Sequence, residues 1–194
     1  KEIFIKQNIF KRLFEVFNVL FISNIAISLT NFFITRNAVT RKEYIRYLRY
    51  AKKSLNPILK TLNNSNLSEP IVGLNWNEAQ DYCRFFAMEL PSEAQLEYSL
   101  FETNLLSRSK MEWEYSRDSY KANSLGKLSK INPVQLAPSS YRSIRSNIRR
   151  SQRRSIQRSK RQNEIIFRCV SHTKPWMNKE MLFDYLESYP ISRE

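Results

Sequence analysis

The alternation of apolar and polar positions predicts paired strands near the start of the chain. Residues 24–34 are rich in β-branched and aromatic types, with alternate apolar positions at Ile25, Ile27, Leu29 and Phe33. The wider apolar stretch 13–34 has the length of a membrane span, but a glutamate and three asparagines interrupt it. We therefore expect two or three strands within residues 1–34 instead of a membrane helix.

Apolar residues then recur at helical spacing, and the pattern predicts helices over residues 40–55, 77–90 and 92–106. The first begins at a capping box formed by Thr40 and Glu43. A short strand at 71–76 leads into the second, which either Asn75 or Asn77 caps and which ends before Pro91. Ser92 has the position of an N-cap for the third.

The last part of the chain is less regular. Residues 107–138 hold the stretch MEWEYSRDSY (111–120) and a polar loop with few periodic positions, whereas residues 164–170 predict a closing strand. Residues 175–189 predict an amphipathic helix whose apolar side carries Trp176, Met177, Met181, Tyr185 and Tyr189. These five residues are candidates for docking a partner, and the same helix could equally dock on its own domain.

Charge is concentrated in one segment. The chain has 32 Lys and Arg against 18 Asp and Glu, and residues 139–161 contain no acidic residue at all. The cations of this segment are Arg142, Arg145, Arg149, Arg150, Arg153, Arg154, Arg158, Lys160 and Arg161. They form a candidate binding surface for an anionic partner, which could be the phosphates of nucleic acid, another anionic surface or an acidic protein. The alternative is a solvated basic face without a ligand.

Several classes of site are excluded by composition. Gly73 and Gly126 are the chain's two glycines, so glycine-rich phosphate loops are absent and no nucleotide cofactor is expected. The single histidine, His172, argues against a histidine metal site or a Ser-His-Asp triad. Cys83 and Cys169 are too far apart for CxxC redox or zinc-ribbon spacing.

One stretch has an order of residue types too particular for a generic amphipathic sequence. Residues 70–99, PIVGLNWNEAQDYCRFFAMELPSEAQLEYS, resemble the signature of the formylglycine-generating enzyme/sulfatase-modifying-factor family. The matching residues are Pro70, Val72, Trp76, Ala79, Tyr82, Cys83, Leu90, Pro91, Glu93, Ala94, Glu97 and Tyr98. Three weaker matches follow the family's order at residues 32–48, 111–118 and 165–170.

The resemblance implies an α+β fold related to the C-type lectins: a compact domain with short twisted strands, two to three helices and much irregular chain. We expect one domain over residues 1–170, with the match covering 25–170, and an amphipathic extension over 171–194.

The family often joins the positions of Cys83 and Cys169 by a disulfide; the alternative is two buried free thiols. The compartment is undetermined, and would be extracytoplasmic or organellar if the two are bridged.

The resemblance also bears on chemistry. Catalytic members bind copper through a cysteine pair shortly before the final strand, because thiolates are soft ligands suited to Cu(I). Those positions fall near Ser140 and Arg145 here, and neither can ligate Cu(I). The iron-dependent branch of the family requires a histidine cluster, which is also missing. We expect no catalytic residue, no metal ligand and no cofactor.

The leading hypothesis is therefore a non-catalytic binding or scaffold subunit of a larger assembly, with protein partners. One alternative is an RNA-contacting subunit that uses residues 142–161, and another is a residual oxidoreductase of the formylglycine-generating type. Trp76, Tyr98 and Trp113 are expected in the core instead of a ligand shelf. Glu93 is expected to complement a helix N-terminus and Glu97 to pair with an arginine such as Arg153, instead of acting as a catalytic carboxylate pair.

Overall fold

The computed structural model describes residues 18–22, 25–54, 66–102, 106–107, 109–121, 129–149, 152–173 and 182–184. The described strands are β1 (Asn18–Ile22), β2 (Ile25–Leu29), β3 (Phe33–Ile34), β4 (Trp113–Ser119), β5 (Tyr141–Ser146), β6 (Arg153–Gln157), β7 (Ile165–Ile166) and β8 (Val170–Ser171). The helices are α1 (Arg41–Tyr50), α2 (Trp76–Phe85) and α3 (Glu93–Glu97), and a π-helical turn (Tyr98–Glu102) continues α3. The architecture is α+β.

The predicted start of α1 is confirmed. The Glu43 backbone N–H donates to Thr40 Oγ1 at 3.3 Å, and the Glu43 carboxylate accepts the Thr40 N–H at 2.7 Å, which is the reciprocal pattern of a capping box. The helix ends earlier than residue 55, at Tyr50. Lys52 has a φ of 50°, a left-handed conformation that an α-helix cannot continue through.

The structure decides between the two candidate caps of the second predicted helix, and the helix ends earlier than predicted. Asn75 caps α2 through a second capping box with Glu78, but the helix ends at Phe85 instead of continuing to residue 90. Ala87 has a φ of 54°, and the Met88 N–H closes the turn by donating to the Cys83 carbonyl at 3.0 Å. The chain then runs extended along β8. The predicted strand 71–76 is also wrong, because residues 71–75 are irregular and Trp76 already belongs to α2.

Ser92 caps α3, as expected, and its Oγ accepts the Gln95 N–H at 3.2 Å. After Glu97 the helix widens into the π-helical turn. The tail of the predicted helix at residues 103–105 lies outside the described residues.

A four-stranded sheet in the order β6-β5-β4-β7 forms the centre of the fold. β5 pairs antiparallel with both β4 and β6, and β7 runs parallel to β4. The sequence pattern assigned no element to β4. At its start, aromatic and polar residues alternate, with Trp113 and Tyr115 on one face and Glu114 and Ser116 on the other.

The predicted closing strand 164–170 is two short strands. β7 joins the central sheet, and β8 leaves it to pair with β3. The three residues between them, Phe167, Arg168 and Cys169, are fully buried. The chain therefore passes between the two sheets through the interior of the domain.

The apolar face of the central sheet carries Trp113, Tyr115, Ile144 and Ile156 and belongs to the main hydrophobic core. Tyr82 of α2 lies near the middle of that core, with its ring 5.7 Å from Tyr44 and 5.5 Å from Phe167, centroid to centroid. The expected core positions of Trp76 and Trp113 are confirmed, with 8% and 2% of their surfaces exposed. Tyr98 is partly buried, edge-on to Phe32.

Cys83 of α2 and Cys169 are joined by a disulfide, and their Cα atoms are 5.5 Å apart. Both residues are fully buried, so the bond links α2 to the segment between β7 and β8 inside the core. It closes a loop across a sequence separation of 86 residues.

Part of the C-terminal extension contacts the domain. Residues 182–184 are helical, and Phe183 is buried with its ring 5.4 Å from Phe86 and 5.9 Å from Tyr50. Arg46 lies over the Phe183 ring and pairs with Asp184 at 3.4 Å. The five docking candidates from Trp176 to Tyr189 lie outside the described residues.

Reduction of the disulfide should lower the free energy of unfolding by about 4 kcal/mol, because the open chain regains the loop-closure entropy of a long loop. In urea this corresponds to a midpoint lower by about 2 M. Urea unfolding with and without reductant measures it. A Cys83→Ala, Cys169→Ala double variant is the control and should be insensitive to reductant; an unchanged midpoint in the wild-type chain would contradict the prediction.

Candidate functional site

A layer of buried charge covers the second face of the central sheet. Arg145 of β5 is 3% exposed and lies between two carboxylates of α3. Its Nη1 donates to Glu93 Oε2 at 3.3 Å, and its Nη2 donates to Glu97 Oε2. Arg153 of β6 adds a second cation, with Nη2 at 2.7 Å from Glu93 Oε1. We call these four residues the charge layer.

The register of the sheet explains why the layer forms. Arg145 and Arg153 are directly opposite each other in the β5–β6 ladder, so their side chains leave the sheet on the same face. Glu93 and Glu97 are four residues apart and project from one side of α3. Two cations and two carboxylates therefore face each other, and the charges cancel within the layer.

The expected partner of Glu97 requires correction. Glu97 pairs with Arg145, whereas Arg153 pairs with Glu93. Glu93 does lie in the first turn of α3, as expected, and in addition bridges the two arginines. Burial lowers the pKa of Arg145, and the adjacent Glu93 carboxylate offsets part of that effect.

Asp118 is a further buried acid beside this layer. Its two carboxylate oxygens accept the backbone N–H groups of Glu93 at 2.9 Å and Gln135 at 2.8 Å. Burial, followed by the neighbouring Glu93 charge, raises the pKa of Asp118 to about 7. The carboxyl thus joins α3 to the loop at Gln135.

Glu114 and Arg168 form a separate buried pair. Arg168 Nε and Nη2 donate to the two Glu114 oxygens at 2.9 and 2.8 Å, a bidentate arrangement. The same guanidinium donates to the carbonyls of Arg36 at 2.6 Å and Ser107 at 3.1 Å. Neither side chain of the pair is exposed.

The arginine-rich segment 139–161 is largely tied to the fold. Six of its nine cations have an ion-pair, hydrogen-bond or aromatic partner in this chain: Arg142, Arg145, Arg153, Arg154, Arg158 and Arg161. Arg145 does not belong to the predicted basic surface, because its side chain is buried in the charge layer. Arg150 lies outside the described residues.

The exposed members of the segment lie on and around β6. Arg154 of β6 is exposed and stacks over Trp113 at 4.3 Å, and Arg158 contacts the Asn77 amide oxygen at 2.8 Å. Arg161 pairs with Glu78, while Arg149 and Lys160 are exposed at the two ends. Arg142 is partly buried and stacks over Trp76.

The positions where the resemblance requires copper-binding cysteines carry other chemistry. Ser140 directly precedes β5, and Arg145 belongs to the charge layer. Both cysteines of the chain are in the buried disulfide. Among the described residues, no group of three or more His, Cys, Asp and Glu side chains has an arrangement that could hold a metal ion. His172 is exposed, just after β8.

Sequence reasoning missed Asp118, Glu114 and Arg168 as structural residues. A signal was available for Glu114, which lies between Trp113 and Tyr115 and therefore projects from the face opposite the two rings. Asp118 lies within an irregularity of the β4–β5 register, so counting along the strand does not give its position. For Arg168 there was little signal, because an arginine within an apolar run is normally at the surface.

Replacing Glu97 by Gln should lower the free energy of unfolding by about 3 kcal/mol, because it removes one charge from a buried ion pair. The matched control is Asp81→Asn. It breaks the exposed Asp81–Lys53 pair, whose two side chains are 48% and 47% exposed, and should cost less than about 1 kcal/mol. Denaturant unfolding of both variants gives the comparison, and equal losses would contradict a buried charge layer.

The raised pKa of Asp118 gives a pH dependence of known sign. A carboxyl whose pKa is higher in the folded than in the unfolded chain contributes stability below pH 4, and this contribution is lost as the pH rises through about 7. Asp118→Asn removes it. The stability of the variant relative to wild type should therefore be a few kcal/mol more favourable at pH 8 than at pH 4, since each pKa unit corresponds to about 1.4 kcal/mol.

Unfolding of the two proteins across pH 4 to 8 measures that difference. The backbone N–H groups of Glu93 and Gln135 bind the carboxylate more strongly than the neutral acid, and this effect is already contained in the pKa of Asp118, so the change of the stability difference with pH is diagnostic. A difference that stays constant, or that runs in the opposite direction, would contradict the raised pKa.

None of the helices in the described part of the chain combines the length and apolar character needed to cross a bilayer.

A search of curated protein sequences finds no match. Two solved structures are similar in fold. PvdO from Pseudomonas aeruginosa superposes with a TM-score of 0.61 at 14% identity, covering 75% of this chain and 82% of PvdO. Variable protein 1 of Treponema denticola superposes with a TM-score of 0.56 at 13% identity, covering 77% of this chain and 87% of that one.

Residues 22–104 match the family described as sulfatase-modifying factor enzyme 1-like domain. The matched region includes β2, β3, all three helices, both α3 carboxylates of the charge layer and Cys83. The expected fold class, an α+β domain of the C-type-lectin-like and sulfatase-modifying-factor type, is confirmed by these similarities together. Residues 22–104 are therefore similar to the sulfatase-modifying factor enzyme 1-like domain family, and the fold of the described residues agrees with that similarity.

Proposed function

We propose that this chain is a non-catalytic binding subunit of a larger assembly, built on a sulfatase-modifying factor enzyme 1-like domain. The observation that carries the proposal is the state of its thiols. The formylglycine-generating reaction of the family needs a pair of free cysteines as copper ligands. Both cysteines of this chain are joined to each other and fully buried, so neither can supply a thiolate at the surface.

The charge layer supports the same proposal. Arg145, near one of the positions where the resemblance requires a copper ligand, is held by two carboxylates of α3. A guanidinium at this position would repel a metal cation. Glu93 and Glu97 both accept hydrogen bonds from arginines, so the pair stabilises the packing of α3 on the sheet instead of exchanging protons with a substrate.

A protein is favoured over RNA as the partner. Single-stranded nucleic acid is bound by cations together with aromatic side chains on which bases stack. Among the described rings near the arginine-rich segment, Trp76 and Trp113 are buried and covered by Arg142 and Arg154, and Tyr120 is covered by Arg153. Tyr141 is exposed, and one exposed ring offers stacking to a single base. The remaining exposed cations fit an acidic protein surface without stacking.

The enzymatic alternative is tested with the purified, oxidised chain. We expect no stoichiometric uptake of Cu(I) in competition with a Cu(I) chelator and no oxidation of a cysteine-containing peptide. A copper-loaded enzyme of the formylglycine-generating type, assayed in parallel, is the positive control. Peptide-bound formylglycine formed by this chain in the presence of copper would overturn the proposal.

The partner class is tested by affinity isolation of the native chain at low and at moderate salt, with and without nuclease. We expect specific protein partners to remain after nuclease treatment, and acidic partners to be depleted as the salt is raised, because surface ion pairs are screened. Loss of all partners after nuclease treatment would favour the RNA-contacting alternative and count against the proposal.

A further inference from the structure

The central sheet has an open edge at β6. In the order β6-β5-β4-β7, β6 is a terminal strand, and among the described strands it pairs with β5 alone. Ser155, in the middle of β6, is exposed, and so are its neighbour Arg154 and the last residue of the strand, Gln157. An exposed strand edge presents unpaired backbone groups to which another strand can hydrogen-bond.

The register identifies which backbone groups face outward. At the two ends of the β5–β6 ladder, the Ser146 N–H donates to the Gln152 carbonyl and the Arg158 N–H donates to the Ser140 carbonyl. Hydrogen-bonded pairs alternate with non-hydrogen-bonded pairs along an antiparallel ladder, so the even-numbered residues of β6 bond to β5. The backbone N–H and C=O groups of Arg153 and Ser155 therefore point away from the sheet.

No described residue supplies a strand that pairs with these groups. The Arg153 side chain contacts the Lys121 carbonyl and the Tyr120 ring, but these contacts leave the backbone of β6 uncovered. The Gln157 carbonyl accepts the Lys160 N–H and ends the strand. The open segment is thus short and centred on Ser155.

The charge around this edge selects among the strands that could pair with it. Residues 139–161 contain no acidic residue, and the exposed cations Arg149, Arg154, Arg158 and Lys160 lie on or beside β6. Two copies of such an edge repel each other, so pairing with a second copy of this chain is disfavoured. An acidic strand, in contrast, gains both ladder hydrogen bonds and charge complementarity.

We propose that the free edge of β6 binds an extended acidic segment of a partner protein, which adds to the central sheet as a fifth strand through the backbone of Arg153 and Ser155. This inference rests on the proposed function as a binding subunit and specifies the partner's chemistry. Main-chain hydrogen bonds provide affinity, and the surrounding cations provide the preference for acidic segments.

The test uses the whole oxidised chain and a fluorescein-labelled peptide of about ten residues, alternating glutamate and threonine, which suits an edge strand. The matched control peptide has the same sequence with every backbone amide N-methylated, so that it carries equal charge and has no N–H to donate to a ladder. Fluorescence anisotropy should show binding of the first peptide at least about tenfold tighter than the second, a difference of about 1.4 kcal/mol.

Two substitutions of Ser155 distinguish the contribution of its backbone N–H to peptide binding from that of its side chain. Ser155→Pro removes the outward N–H, whereas Ser155→Ala retains it. Pro should weaken binding of the glutamate–threonine peptide at least about tenfold, and Ala should leave it unchanged. Because proline is tolerated on the outer side of an edge strand, the Ser155→Pro chain should keep the wild-type circular dichroism spectrum.

A measurement on the wild-type chain keeps the proposal falsifiable if the proline variant fails to fold. On binding the glutamate–threonine peptide, the Arg153 and Ser155 amides should become at least about tenfold slower in hydrogen exchange, because they join a ladder. Equal affinity for the two peptides, unchanged exchange at these amides, or no binding would overturn the inference. Tighter binding of a single-stranded RNA that competes with the peptide would also overturn it. These outcomes are distinct from failure of the proposed function, which the copper and affinity-isolation experiments decide.

Discussion

The fold depends on one buried guanidinium. Arg168 lies between β7 and β8 without exposure to solvent, and it donates to both oxygens of Glu114 and to the carbonyls of Arg36 and Ser107. A charge in this position is tolerated only because its donors are satisfied and its counter-ion is bidentate. One side chain thereby fixes β4, the segment after β3 and the loop at residue 107 relative to each other. The neighbouring Cys169 extends the same junction to α2 through the disulfide.

The two faces of the central sheet are held by different interactions. One face joins the aromatic core around Tyr82, where burial of apolar surface is the main favourable contribution. The other face carries Arg145 and is covered by α3, where burial is tolerated because Glu93 and Glu97 balance the charge. Asp118 secures the start of α3 from the end of β4. This arrangement explains how a chain with so many arginines forms a compact domain.

The same arrangement separates the structural arginines from the exposed cations. Arg142, Arg145 and Arg153 are partly or fully buried and are engaged with Trp76 or with the charge layer. The exposed cations border the edge of β6, where none of the described strands pairs with the outward backbone groups. A binding role at this edge is compatible with the loss of redox chemistry, because the disulfide lies inside the core and leaves the sheet edge unaffected. Recognition through the edge of a sheet requires no thiol, metal or pocket.

The sequence by itself determined the local features: the capping box at Thr40, the N-cap at Ser92, the two helix starts they define, and the motif that indicated the fold class. These depend on residues three or four positions apart, so they are legible along the chain. The positions of Ala87 and Lys52, where helices end in left-handed turns, were not legible, because neither residue type favours that conformation. Only the tertiary structure decided that β4 is the centre of a sheet, that Arg145 is buried while Arg154 is exposed, and that Glu97 pairs with Arg145. Those outcomes depend on which distant strands are adjacent and in what register, and a one-residue change of register would have exchanged the buried and exposed arginines.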